Sequence, residues 1–569
     1  MDMREGCRLA YKGHVQFALG STVTSPLASF DITMRISPVA TAFVSALLVV
    51  ATPGPLAVSM EKRQSFARMY DADMIRAKSY GIDAFALNMD TQLGFAYDSA
   101  SRNGMKVFIS YDFNWWNTGQ GAQIGAHLAE YASRPAQLFV NGAAFVSSFA
   151  GDGVDVAAMR AAAGRSIMFV PNFHPGQGNF GLIDGALNWM AWPNNGNNKA
   201  PTPGANVTVA AGDSAYAAAL AGKPYLAPAS AWFSTHYGPE VSYSKNWVFP
   251  SDLLWYTRWN DLIKLGPPFI EIITWNDYGE SHYASKWVND MPHNAWLDMA
   301  KPFIAAYKAG ATSPNSFITQ DQIIYWYRPT LSTLNCDATD TTSNTPANNA
   351  SGNYFEGRPN GYQSMSDSVF VVTLLTSPGT LIITSGGHSQ TFNAPAGAAS
   401  FSVPMFVGQQ SFALARNNVN VLAANSLKDV SNVCPCGLYN FNAYTGSVSA
   451  NFIDQMGSDG LASLVAGLHV TTCLPTPSLP TSAPPYTGPG GIATTPPTSS
   501  SSSTITPPPT SSSSKTTSTT TTPTTTSTST TTAKGTCTIT ASEQIRPTNC
   551  LQPGCVWDGP PGTDSPDHC

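Results

Sequence analysis

Charged residues are scarce. Asp, Glu, Lys and Arg make up 11% of the 569 residues, against about 25% in an average soluble protein. Only 29 are Lys or Arg, the net charge is -6, and no basic stripe occurs. The charge that a phosphate backbone demands is therefore missing, and nucleic acid is excluded as a partner. Long apolar runs are absent as well. The strongest near the start, Val39 to Val50, falls short of the roughly 20 residues a membrane helix needs, so no membrane span is expected. Apart from Cys7, the cysteines (Cys336, Cys434, Cys436, Cys473, Cys537, Cys550, Cys555 and Cys569) all follow residue 330. The N-terminal half must rest on a core without disulfides, while the C-terminal half is stapled. Cys434-Pro435-Cys436 lacks the two-residue spacing of a zinc site and has no nearby His, so no metal is expected there.

Aromatics, by contrast, reach 11%, with 13 Trp and 21 Tyr. A chain poor in charge and rich in rings suits neutral substrates that stack on ring faces, carbohydrate first among them. The run Val39 to Val50 reads as the apolar stretch of a signal peptide over 34–57, with Arg35 as its positive end if synthesis begins at Met34. Residues 1–33 then read as a non-native N-terminal extension, and the protein as secreted. The sequons at Asn206 and Asn349 fit secretion and imply surface loops.

Over 66–311, β-rich runs alternate with helical or irregular stretches: 82–88, 106–114, 138–149, 166–173, 187–192, 224–233 and 269–275. An amphipathic helix over 70–79, with Met74, Ile75 and Ala77 inward and Gly81 as its stop, precedes the first of them, and Gly104 closes another helix. The pattern predicts an α/β fold, an eight-stranded (β/α) barrel with its active site at the C-terminal ends of the strands. The first strand is missing, because the segment from the signal peptide to Phe66 contains no apolar strand. Residues 316–473 change to short strands with turn signals, over 322–327, 368–376, 379–384, 390–392, 399–404 and 410–414, expected as a β-sandwich accessory domain interrupted by a helical stretch over 457–471. Residues 474–533 are Pro, Ser and Thr with little else and form a linker that cannot bury a core. A small Cys-rich tail occupies 537–569, with Trp557 as its sole Trp.

The most informative stretch is Thr274-Trp275-Asn276-Asp277-Tyr278-Gly279-Glu280-Ser281-His282-Tyr283, directly after a strand. In a turn leading to a helix, a spacing of three aims both carboxyls at the barrel mouth, one as proton donor and one to activate water. The same spacing also describes an Asp helix cap with Glu at the third helical position. Trp275, His282 and Tyr283 favour the site, since stacking and hydrogen-bonding groups gather where sugars bind.

Gly81-Ile-Asp-Ala-Phe-Ala-Leu-Asn88, Val107-Phe-Ile-Ser-Tyr-Asp-Phe113, Phe145-Val-Ser-Ser-Phe-Ala-Gly151, Phe169-Val-Pro-Asn-Phe-His-Pro175 and Ile273 to Tyr283 resemble the fungal endo-α-1,3-glucanases, or mutanases, of glycoside hydrolase family 71. The likeness runs from about Tyr70 to Cys473. It implies an endo-acting, inverting hydrolase of α-1,3-glucan that needs no cofactor, with Asp277 and Glu280 as the catalytic carboxyls. Glu280, with longer reach and uncharged neighbours, is expected as the acid and Asp277 as the base. Asp83, Asn88, Asp112, His174, Trp232, Trp275, Asn276, His282 and Tyr283 are expected to bind substrate, and Trp115, Trp116 and Trp192 are further ring platforms. Glu271, between isoleucines inside a strand, reads as structural. The protein is expected to act as a monomer on extracellular or cell-wall glucan. The alternatives are a catalytically impaired wall-binding protein and a barrel glycanase for another neutral polysaccharide.

Overall fold

The computed structural model describes residues 15–18, 70–88, 92–195, 207–236, 246–277, 279–283, 291–340, 357–449 and 486. The signal segment over 34–57, the helical stretch over 457–471, the linker apart from Tyr486, the tail and both sequon asparagines lie outside them. The chain divides into two compact units, and every described residue belongs to the first. Among the described residues no helix is long and apolar enough to cross a membrane.

The chain runs β1 (Val15–Ala18), α1 (70–79), β2 (Ala84–Leu87), α2 (Leu93–Asn103), β3 (Lys106–Asp112), α3 (Gly121–Tyr131), β4 (Phe139–Val140), β5 (Ala143–Phe149), α4 (Val156–Ala163) and β6 (Ile167–Pro171). It continues through β7 (Ala186–Leu187), α5 (Val209–Leu220), β8 (Tyr225–Ala229), β9 (Ser234–His236), β10 (Asn246–Val248), α6 (Leu254–Leu265), β11 (Phe269–Ile272) and α7 (Ala295–Lys308). β2, β3, β5 and β6 pair in parallel, as do β7, β8 and β11. These strands are apolar on both faces, as parallel strands covered on both sides must be. Ala86, Phe108, Phe145, Val170, Leu226 and Phe269 fill one apolar cluster. Their neighbours Phe85, Val107, Val146, Phe169, Ala227 and Ile270 join another with Leu128, Trp259 and Phe303 of the helices. The two-residue alternation of a strand sorts them.

Residues 15–18, within the stretch read as a non-native extension, form a strand antiparallel to β2 and beside β11. Two expectations change. In α1, Met74 and Ala77 are buried but Ile75 is 60% exposed, because residues three apart share a helix face and Ile75 lies about 100° round from Met74. The expected strand over 138–149 is a short antiparallel hairpin of β4 and β5, turned at Asn141 and Gly142, both with positive φ.

Glu271 breaks the apolar run of β11. It is fully buried, and neither carboxyl oxygen has a hydrogen-bond partner. Burial pushes its carboxyl well above the ordinary range, because a charge without a partner is costly in an apolar interior. A raised folded-state value means that the stability is complete below the unfolded carboxyl value of about 4.3 and is lost as pH rises through the folded value. Glu271→Gln should therefore flatten the fall in melting temperature between pH 4 and pH 8. Parallel melting curves for both proteins over that range would overturn this.

The rest consists of β12 (Gln322–Tyr327), β13 (Ser368–Leu375), β14 (Gly379–Ser385), β15 (His388–Ala394), β16 (Gly397–Pro404), β17 (Gln410–Arg416), β18 (Val419–Asn425) and β19 (Tyr444–Ser449). They form two four-stranded antiparallel sheets, β16-β13-β12-β19 and β15-β14-β17-β18. β18 and β19 are additions to the strands read from sequence. Ile323, Val371, Ile383, Phe412 and Leu414 of both sheets share one apolar cluster, while Ile324, Trp326 and Phe370 pack into the cluster that holds Trp296 and Phe303 of α7. A disulfide joins Cys336 to Cys434, and Cys436 is disulfide-bonded as well.

Candidate active site

β11 ends at Ile272, and the chain then folds back on itself. The Thr274 amide donates to the His282 carbonyl at 2.7 Å, and Ser281 turns the chain with a φ of 59°, a conformation that non-glycine residues adopt mainly where the surroundings enforce it. Within this loop the Asp277 amide donates to Thr274 Oγ1 at 3.1 Å and the Glu280 amide to Asp277 Oδ1 at 3.2 Å. That second bond is the one an Asp cap makes, yet residues 279–281 form a turn and no helix follows among the described residues. Asp277 thus makes the bond of a cap without the helix. Oδ1 closes the turn, while Oδ2 lies 3.2 Å from His282 Nε2.

His282 Nε2 also lies 2.9 Å from Glu280 Oε2, and Nδ1 lies 3.2 Å from Thr274 Oγ1. A threonine hydroxyl that donates to Nδ1 leaves the proton on Nε2, where one N–H faces two carboxyls. Phe233 stacks on the imidazole at 5.7 Å and 10°, and Trp192 meets it edge-on at 5.2 Å. Together these rings close the imidazole off from solvent, with Nε2 toward the two carboxyls. The Ser234 amide holds the loop from the β9 side through the Glu280 carbonyl at 3.0 Å.

The facing atoms of Asp277, Glu280 and His282 all lie within 4.8 Å of one another, close enough to hold a cation. The Glu280–His282 contact forms without one, with Oε2 2.9 Å from Nε2. A chelator should leave the hydrolytic rate unchanged. Loss of activity restored by a divalent cation would overturn this.

The other expected residues fall into two groups. Asn88 and Asp112 stand at or just past the C-terminal ends of β2 and β3, and Asp112 Oδ1 accepts from the Asn114 amide and side chain, both at 2.9 Å. His174 follows β6 and is held by Asp152 Oδ2 at 2.7 Å from Nδ1. Asn276 is half-buried beside Asp277, and Trp115 is 61% exposed after β3. Asp83, however, precedes β2 at the opposite end from Asn88 and pairs with Lys308 of α7 at 2.6 Å. Its place before the strand puts it at the N-terminal end, away from the C-terminal ends where Asn88 and Asp112 stand. Trp232, Trp275 and Tyr283 are buried: Trp232 donates to the Phe441 carbonyl at 2.9 Å, Trp275 packs edge-on against Phe85 at 5.3 Å, and Tyr283 donates to the Met291 carbonyl at 2.6 Å. Trp192 is buried too. None of these rings offers a free face to sugar. Thr274 escaped notice, although a Thr three residues before an Asp is a recognisable turn signal. Phe233 gave no local signal, because it reaches the site from the connection just before β9.

Residues 57–457 match the family described as Glycosyl hydrolase family 71. A mutanase of Penicillium rubens is 41% identical over 399 residues, which cover 66% of this chain and 84% of that protein. The glucan endo-1,3-alpha-glucosidase agn1 of Schizosaccharomyces pombe is 34% identical over 413 residues, covering 66% and 90%. Among solved structures, a family 99 endo-alpha-mannosidase from Bacteroides thetaiotaomicron aligns over 43% of this chain and 80% of that one, at 11% identity and a TM-score of 0.32. That score is too low to bear on the fold. The match to the family and the two fungal relatives cover the loop that carries Asp277, Glu280 and His282, and the chain belongs to glycosyl hydrolase family 71.

Proposed function

We propose that the protein hydrolyses the α-1,3-glucosidic bonds of α-1,3-glucan from within the chain, outside the cell or at the wall, with Glu280 as proton donor and Asp277 as the group that activates water. The observation that carries this reading is the pair of carboxyls sharing His282 Nε2 at 2.9 and 3.2 Å, in a family that cleaves glycosidic bonds. The relatives named for mutan and 1,3-α-glucan supply the substrate class. On this reading the parallel strands, with β1 completing the ring, form a distorted eight-stranded barrel and the two antiparallel sheets a β-sandwich.

Inversion, the outcome the resemblance implies, needs a water between acid and base and carboxyls roughly 6.5–9.5 Å apart. The facing atoms lie within 4.8 Å, so substrate must part the pair and break one of the bonds to His282. Retention would suit the closer spacing. Incubation with insoluble α-1,3-glucan, β-1,3-glucan and starch, followed by sizing of the products and NMR of the first anomer released, tests both points. The expected result is a ladder of oligosaccharides from α-1,3-glucan alone, with β-anomers first. Glucose alone, or products from another glucan, would overturn the substrate reading, and α-anomers would overturn inversion.

A further inference from the structure

Residues that brace the catalytic loop from behind come from the β-rich part of the chain. Tyr283, next to His282, is buried, and its hydroxyl accepts from Asn442 Nδ2 at 3.1 Å. Its ring lies flat on His293, with centroids 3.7 Å apart at 6°. His293 is fully buried and bridges two strands of backbone: Nδ1 lies 2.8 Å from the Tyr283 carbonyl and Nε2 lies 2.8 Å from the Ala443 carbonyl. Trp296 of α7 covers its edge at 4.5 Å. Thr445 adds two bonds to the Pro292 carbonyl, from its amide at 3.1 Å and its hydroxyl at 2.9 Å, and Trp232 reaches the Phe441 carbonyl. Residues 441–445, which lead into β19, therefore grip positions 232, 283 and 292 of the catalytic part.

Burial draws the His293 pKa down to about 4, so near neutral pH the ring has one N–H and donates to one carbonyl at a time. Asn442 and the flat Tyr283 contact supply the rest of the tie.

We propose that His293, together with Asn442, is a positioning residue for hydrolysis, so that the β-rich part is a working component of the active site and not a separable appendage. The inference rests on the reading of Asp277 and Glu280 as the catalytic pair. The route is short. Asn442 holds the Tyr283 hydroxyl, His293 sits between the Tyr283 and Ala443 carbonyls, Tyr283 adjoins His282, and His282 Nε2 lies 2.9 and 3.2 Å from the two carboxyls. A shift in the Tyr283 backbone carries the imidazole with it, and a misplacement of about 1 Å in a catalytic group costs on the order of 10²-fold.

The test uses the full chain and initial rates on soluble α-1,3-gluco-oligosaccharides, well below the melting temperature of each variant. His293→Phe keeps a flat ring against Tyr283 and removes both nitrogens, His293→Gln retains an N–H donor, and Asn442→Ala cuts the tie from the β-rich side. Glu280→Gln marks the chemistry itself. His293→Phe should lower kcat roughly 10- to 100-fold with KM within about twofold, His293→Gln should recover most of the loss, and Asn442→Ala should show a smaller loss of the same kind. A purely structural residue would lower the melting temperature and leave kcat of the folded protein intact, and that result overturns the proposal. So does unchanged kcat in Asn442→Ala, which decides the matter if His293→Phe fails to fold. A wild-type rate in Glu280→Gln would instead sink the assignment of the catalytic pair, and the proposal with it.

Discussion

Glu280→Gln should lower kcat on α-1,3-glucan by about 10²- to 10⁴-fold, the range that a positioned general acid supplies, while binding to the insoluble polymer persists. The amide keeps the shape of the side chain and its contact with His282 but has no acidic proton to give the leaving sugar oxygen. The Glu280 side chain is 13% exposed and Oε2 lies 2.9 Å from His282 Nε2, so it is mostly withdrawn from water yet open on one side. Turnover by initial rate and binding by depletion from suspension separate the two effects. Near-wild-type turnover would remove Glu280 from the acid role, and loss of binding with intact turnover of soluble substrate would make it a substrate contact only.

His282→Phe should cost nearly as much, roughly 10²- to 10³-fold in kcat. Phe fits the ring-lined site beside Phe233 and Trp192, so the fold should survive. What is lost is the N–H that lies 2.9 Å from Glu280 and 3.2 Å from Asp277 and holds the two carboxyls in place. His282→Gln retains an N–H and should restore part of the loss. A wild-type kcat in His282→Phe would show that the imidazole only fills space.

The same stretch of ten residues shows how far reading by sequence goes. Asp277 and Glu280 stood out because three-residue spacing after a strand is a local pattern, and the structure keeps it in the bond from the Glu280 amide to Asp277 Oδ1. The helix expected after it does not form among the described residues, since the chain turns at Ser281 to return His282 to Thr274. Trp232 illustrates the opposite case. As an isolated aromatic at a strand end it reads as a sugar platform, and only a partner 209 residues away, Phe441, makes it a buried strut.

By itself the sequence determined the alternation of strands and helices from β2 to α7, the change to antiparallel strands at β12, the family and the three-residue spacing of Asp277 and Glu280 after a strand. Each of these rests on periodicity, turn chemistry or a contiguous motif, which act over a few residues. The tertiary structure alone decided that His282 stands between the carboxyls, that residues 15–18 lie beside β2, that Asp83 lies at the far end of its strand from Asn88, and that residues 441–445 brace the loop. Those facts depend on packing between segments far apart in the chain. Burial there is set by which surfaces meet, and no local pattern records which surfaces those are.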